Sequence, residues 1–182
     1  MGQYYIAIFL AEKQRNKEVI RAFMTAHDFG NGVKLMEHSY KGNRYMNAVE
    51  YALSPDGYFT NSRLVWAGDY ADPEPDNKEN LNHIAYENEN EKQFFTDAPK
   101  DKYYRYILNH SKEQFVDKGP KKEWRFEIHP LSLLTSEGNG QGGGDYRGKN
   151  EDMCGIWSRD IISVDNEVPE GYTELVCEFD EH

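Results

Sequence analysis

Six of the fifteen glycines fall within the run Gly138-Asn139-Gly140-Gln141-Gly142-Gly143-Gly144-Asp145-Tyr146-Arg147-Gly148. A stretch with so few Cβ atoms reaches φ > 0 freely, and successive backbone N–H groups can then converge on one anion. Trp157 and Arg159 follow soon after. On a strand the two share a face, because side chains alternate. A guanidinium beside an indole grips a phosphate by a bidentate fork and a base by stacking. The expected ligand-binding set is therefore Gly140, Gly142, Gly143, Gly144, Asp145, Tyr146, Arg147, Trp157 and Arg159, with Trp66 as a further stacking partner. The competing reading of the glycine run is an ordinary surface loop. For Arg159 it is a surface ion pair with Asp160 or Glu151.

Known glycine motifs do not account for the run. Gly138-x-Gly140-x-x-Gly143 has the letters of the dinucleotide fingerprint, but that motif works only between a strand and a helix whose N-terminus holds the pyrophosphate. Asp145-Tyr146-Arg147-Gly148-Lys149 makes a poor helix start. The kinase form needs Val two residues after the third glycine, and Asp145 stands there. A second cluster, His27-Asp28 and Glu37-His38, has the residue types for a general base oriented by a carboxylate or for a metal. No H-E-x-x-H spacing supports a metal, and none is expected. Asp69 and Asp72 stand just past an apolar strand, where a carboxylate can hold a ribose hydroxyl or a cation, or simply be solvated in a turn. His27, Asp28, Glu37, His38 and Asp69 are thus the candidate catalytic residues. Ser111, Ser136 and Ser158 lack the context of an activated nucleophile, as do both cysteines. The pattern favours a binding protein over a catalyst and implies no cofactor.

The elements that must position these residues are legible in part. Gln3 to Leu10 is apolar on both faces and reads as a buried strand. Val19 to Phe29 reads as a second strand, turning at Asn31-Gly32 into a return strand over Val33 to Ser39. Tyr45, Ala48, Val49, Ala52 and Leu53 recur at helical spacing, with Asn43 as N-cap and Ser54-Pro55-Asp56-Gly57 as the stop. Arg63 to Ala67, Tyr103 to Leu108 and Glu113 to Asp117 read as strands. So does the alternation of Trp124, Phe126 and Ile128, ended by Pro130. Ile156 to Val164 and Thr173 to Phe179 complete the set, joined by a turn at Pro169-Glu170-Gly171. Residues 72–101 form a polar, acidic excursion with a short helix near Leu81 to Tyr86. The count implies an α+β fold: a mostly antiparallel sheet with one or two helices in a single domain over residues 1–182. Its 13 tyrosines imply an aromatic core with polar handles.

Charge narrows the partners. Of a net −11, residues 69–101 carry −7 and residues 165–182 another −7, which leaves the rest mildly basic. Duplex nucleic acid is repelled by such a chain. A small anionic, nucleotide-like ligand held locally, or a basic host protein docked on the acidic blocks, is not. Cys154 and Cys177 have no C-x-x-C spacing. Ile6 stands where a myristoylation signal needs Ser or Thr. No apolar run approaches the ~18 residues of a membrane span, and the N-terminus shows no apolar leader. The expected setting is soluble and cytoplasmic, with no membrane partner.

The opening MGQYY, the stretch HDFGNGVKLMEHSY (His27 to Tyr40), VWAGDYAD (Val65 to Asp72) and HPLSLLTSEGNGQGGGDYRG (His129 to Gly148) resemble a family of small uncharacterised proteins of bacteria, their phages and large DNA viruses. The resemblance covers most of the chain. It implies an accessory protein of a virus or mobile element and brings no activity with it. Three functions follow as expectations. The first is a binder of a phosphorylated, nucleotide-like ligand. The second is an acidic module that docks on a basic protein as a polyanion mimic. The third is a hydrolase or transferase acting on a phosphoester or glycosidic bond through the His and carboxylate residues.

Overall fold

The computed structural model of the chain describes residues 2–138 and 146–180. Its frame is one sheet. Strand β1 (Tyr5–Leu10) lies between β2 (Ile20–Thr25) and β3 (Ser62–Gly68), antiparallel to both. Beyond β3 come β7 (Ile161–Asp165), β4 (Tyr106–Asn109), β5 (Gln114–Asp117) and β8 (Thr173–Glu174). The two-residue β6 (Ser136–Glu137) pairs in parallel with β3 at Trp66 and Ala67. Among the described strands, only β6 and β8 pair in parallel. The α+β, mostly antiparallel architecture read from the sequence is the one observed.

The unbroken apolar run of β1 has a direct cause: both of its faces are covered. Tyr5, Ala7 and Phe9 face one core together with Leu64 and Trp66. Helix α2 (Arg44–Leu53) lays Tyr45, Met46, Ala48, Val49, Ala52 and Leu53 over them. Asn43 caps that helix by accepting from Tyr45 N and Met46 N, and Gly57 N closes the stop on Ser54 O. The Tyr45 hydroxyl then ties the helix to the sheet, donating to Met24 O at 2.8 Å and accepting from Ala7 N at 3.1 Å. Ile6, Ile8 and Leu10 face the other way with Phe23 and Val65. Leu81 and Ala85 cover them, from α3 (Leu81–His83) and the single π turn at Ile84–Asn88 that follows. The acidic excursion is therefore a built layer. Its return leg guards the edge of β2, where Phe94 N donates to Phe23 O at 2.8 Å.

Several expected elements are different. The hairpin is β1–β2 itself, turned by Arg15 and Asn16, both at positive φ, between the Gln14–Lys17 pair. The Asn31-Gly32 turn is absent. Thr25 caps a 3-10 turn at Ala26–Phe29 that Gly30 closes at φ +70, and Leu35–His38 forms the short helix α1. Leu35 and His38, three apart, are the buried pair there, which is helical spacing and not strand spacing. The Trp124, Phe126, Ile128 strand is also absent: Phe126 sits at φ +55 and 87% exposed, and only Ile128 makes a bridge, to Tyr40. Pro130 starts an element instead of ending one, at the first turn of α4 (Pro130–Leu134) with His129 as N-cap. Strand β7 begins at Ile161, since residues 156–160 form a turn. The last strand is only Thr173–Glu174 and pairs with β5, not β7.

Candidate functional site

Arg159 anchors the most heavily charged constellation. Its residue takes φ +65, with its N–H donating to Leu64 O and its carbonyl accepting from Arg63 Nε at 3.0 Å. That reversal sends the guanidinium into a cage of acids. Nε and Nη2 donate to the two Glu137 oxygens at 2.7 and 2.8 Å. Nη1 donates to Glu74 Oε2 at 3.0 Å, while Nη2 reaches Glu74 Oε1. Glu18 stands 4.0 Å away and is itself bound by Arg63 Nη1 at 3.0 Å. Lys13 Nζ also reaches Glu18, at 3.5 Å, so two arginines and one lysine meet three carboxylates and the charges balance. Burial opposes the charge on both sides, but the pairing prevails: Arg159 is held above its ordinary pKa by Glu137 and Glu74, and Glu137 below its own by Arg159 and the Ser158 hydroxyl.

Each acid arrives on a different element. Glu137 sits on β6, and Glu18 on the segment leading into β2, with Val19 between. Glu74 belongs to the excursion, which Asn80 fastens by donating to Asp69 O and Ala71 O at 3.0 and 3.1 Å. The cage separates two small clefts. One of about 220 Å³ is lined by Lys13, Lys17, Glu18, Leu81 and Arg159. The other, of about 240 Å³, is lined by Asp72, Glu74, Glu137, Gly138 and Arg159. Gly138, where the glycine run begins, packs so closely that a Cβ would stand 2.7 Å from Tyr5 Oη and 2.8 Å from Gln3 Oε1.

The other expected ligand residues are dispersed. Gly140, Gly142, Gly143, Gly144 and Asp145 lie outside the described residues. Trp157 and Arg159 do not share a strand face, because a turn carries them. Trp157 points into the core, wholly buried, and its Nε1 donates to Gln114 Oε1 at 3.0 Å. Trp66 is equally buried and donates to His38 Nε2 at 2.9 Å. Neither indole presents a ring face for stacking. Tyr146 is buried edge-on against Phe179, its hydroxyl donating to Lys149 O. Arg147 is exposed beside Lys149 and Asp180. Asp160, the sequence's candidate partner for Arg159, binds Asn109 and Lys112 instead.

The five candidate catalytic residues do not assemble into a site. His27 and Asp28 are exposed on the 3-10 turn, with Asp28 accepting from Gln93 at 2.8 Å. Glu37 caps α1 by accepting from Lys34 N, and Asp69 accepts from Tyr4 N. His38 is buried: its Nε2 accepts from Trp66, so its Nδ1–H donates to Gly32 O, and burial lowers its pKa to about 4. It is a neutral structural imidazole. Among the described residues no group of three or more His, Cys, Asp or Glu is placed to hold a metal.

A second charged cluster escaped the sequence reading altogether. Glu50 of α2 accepts from Lys118 Nζ and, at 2.5 Å, from His129 Nε2, with all three side chains sealed in the core. His129 Nδ1 accepts from Leu131 N, and burial lowers this histidine's pKa, so the imidazole is neutral with its proton on Nε2. Burial would raise the Glu50 carboxyl, but Lys118 and His129 together bring it to about 2. A cleft of about 670 Å³ opens alongside, lined by Lys41, Lys118 and Lys149 among others. Its three lysines are paired, to Glu127, Glu50 and Glu178, and each is a point charge without the two-edged fork of Arg159. Size alone therefore does not make it the better anion site.

No protein-family model matches this chain, and no curated protein or solved structure matches it. Among the described residues no helix is long and apolar enough to cross a membrane. The functional reading rests on the chemistry of the sites.

Proposed function

We propose that this chain is a small accessory protein that binds a phosphorylated, nucleotide-like anion at Arg159, with the ligand's phosphate replacing the Glu74 carboxylate. One observation carries the reading. Both edges of the Arg159 guanidinium are presented, in fork geometry, to planar anions, between two clefts and beside the start of the glycine run. A phosphate fits the same fork as a carboxylate and carries more charge. Glu74 is then a built-in competitor, tethered at an effective concentration on the order of millimolar. The grip of Glu74 keeps affinity modest until that competitor is displaced. A cytoplasmic setting and a viral or phage origin are in keeping with sequestration of a nucleotide signal.

Calorimetry against nucleoside mono- and triphosphates and cyclic dinucleotides tests this. Glu74→Gln should tighten binding by about tenfold, the equivalent of ~1.4 kcal/mol. Arg159→Ala should abolish it. Equal affinity in wild type and both variants would sink the reading.

A second reading has its own support. The excursion is mounted rigidly, by Asn80 and by Asn82 donating to Ala67 O and Tyr4 O. It carries Asp72, Asp76, Glu87 and Glu91 on its exposed surface. Such an array suits a basic protein partner. Neutralising these four residues should abolish salt-sensitive capture of a basic protein and leave nucleotide binding at Arg159 intact.

A further inference from the structure

On the far side of the sheet from α2, three residues that no motif predicted form a hydrogen-bonded line. Ile162 and Val164 of β7 face the α2 core. Ser163 between them therefore faces the opposite way, register partner to Leu108 of β4. Just past the end of β4, His110 is fixed by its own N–H donating to Ile161 O at 2.8 Å. Ser163 Oγ lies 2.6 Å from His110 Nε2, and Tyr172 Oη lies 2.7 Å from His110 Nδ1. The Tyr172 ring meets the imidazole edge-on at 5.7 Å. Ser163 and His110 line a cleft of about 490 Å³, with Leu108, Val168 and Pro169 as apolar wall, Asp165 and Glu167 as acidic rim, and Asn61 as an amide donor.

We propose that Ser163 is a nucleophile, His110 its general base and Tyr172 a positioning residue, in a site that hydrolyses small esters of neutral or cationic character. The acidic rim disfavours anionic substrates, so this activity is separate from phosphate binding at Arg159. Proton on Nδ1, the imidazole donates to Tyr172 Oη and leaves its Nε2 lone pair for the Ser163 hydroxyl. Half-burial lowers the His110 pKa, which favours this neutral base. As Ser163 Oγ bonds to the substrate carbonyl carbon, its proton passes to Nε2. The carbon–oxygen bond to the leaving alcohol then breaks, and the alcohol takes that proton. Water attacks the acyl-serine, gives its proton to Nε2, and Nε2 returns it to Oγ as the acid departs. Ester and water become acid and alcohol, with no other reactant needed. The Asn61 carboxamide, exposed on the cleft wall, is the donor available to the transient oxyanion.

The test uses the full chain with p-nitrophenyl acetate and butyrate, and with an uncharged fluorophosphonate followed by peptide mass mapping. We expect one adduct, on Ser163. Ester turnover should fall by about a hundredfold or more in His110→Gln, the scale of a lost general base, and should vanish in Ser163→Ala. Tyr172→Phe should lower kcat with KM unchanged, which a merely structural loss would not produce. Circular dichroism establishes that each variant is folded. Should Ser163→Ala not fold, His110→Gln decides. An adduct on another residue, no adduct on the folded protein, or wild-type turnover in His110→Gln overturns the proposal. Nucleotide affinity at Arg159 should be unchanged in His110→Gln, so this proposal and the nucleotide-binding reading fail independently.

Discussion

The Glu50–Lys118–His129 cluster and the Arg159 cage are built from the same chemistry and differ in where they stand. In the first, one carboxylate meets one lysine and one neutral imidazole, every group is below 5% side-chain exposure, and charge balances. In the second, three carboxylates meet two arginines and Lys13, the Arg159 side chain keeps 24% of its surface, and clefts open on both sides. A sealed cluster can only hold elements together. An open one can exchange a partner. What separates a structural ion pair from a site is access, and not residue type.

The sharpest way to break that contrast is to remove one member of each cluster. Lys118→Met should cost about 3–5 kcal/mol, because it strands the Glu50 charge in the core. Chemical denaturation measures it as a lowered midpoint. Arg159→Ala should cost only about 1–2 kcal/mol, since Arg63 and Lys13 still pair Glu18 and the Glu137 side chain keeps 28% of its surface. Equal losses would mean that the cage is as structural as the core triad, and the Arg159 site would lose its rationale.

Acid titration sharpens the same comparison. The Glu50 carboxyl is depressed from 4.5 to about 2 in the folded chain. Its stabilisation is therefore complete above the unfolded value and is lost as pH falls from about 4.5 through about 2. His38, depressed from 6.5 to about 4, acts in the same direction but earlier: the unfolded chain takes up a proton that the folded chain refuses. Stability should decline first between pH 6.5 and 4, then again below 4.5. His129 and His110, whose pKa burial also lowers, act in the same direction, so His38→Gln should shrink the first decline without erasing it and leave the second, as read by melting temperature against pH. The smallest expected effect is that of Glu74→Gln on stability, within about 1 kcal/mol, even though it alters ligand affinity.

Much of the frame was legible in the sequence because its signals are local. The apolar run of β1, the Asn43 cap and Ser54 stop of α2, and the strands around Arg63 to Ala67 and Tyr106 to Asn109 all stand close to where their patterns place them. The errors share a cause. Val33 to Ser39, Trp124 to Ile128 and Ile156 to Asp160 are short segments mixing apolar and charged residues, too short for periodicity alone to assign to strand, helix or turn. Placing Ile156 to Asp160 on a strand turned Trp157 outward and cast Arg159 as an unopposed grip.

By itself, then, the sequence determined the fold class, the central strand, the capped helix and the charge asymmetry, since composition, period and caps act over a few residues. The tertiary structure alone decided the sites. Arg159 meets Glu74 across 85 residues and Glu137 across 22. Glu50 meets His129 across 79, and His110 reaches Ser163 and Tyr172 across 53 and 62. No local pattern encodes such pairings. They arise because the sheet order sets β7 between β3 and β4, bringing distant side chains within hydrogen-bond reach.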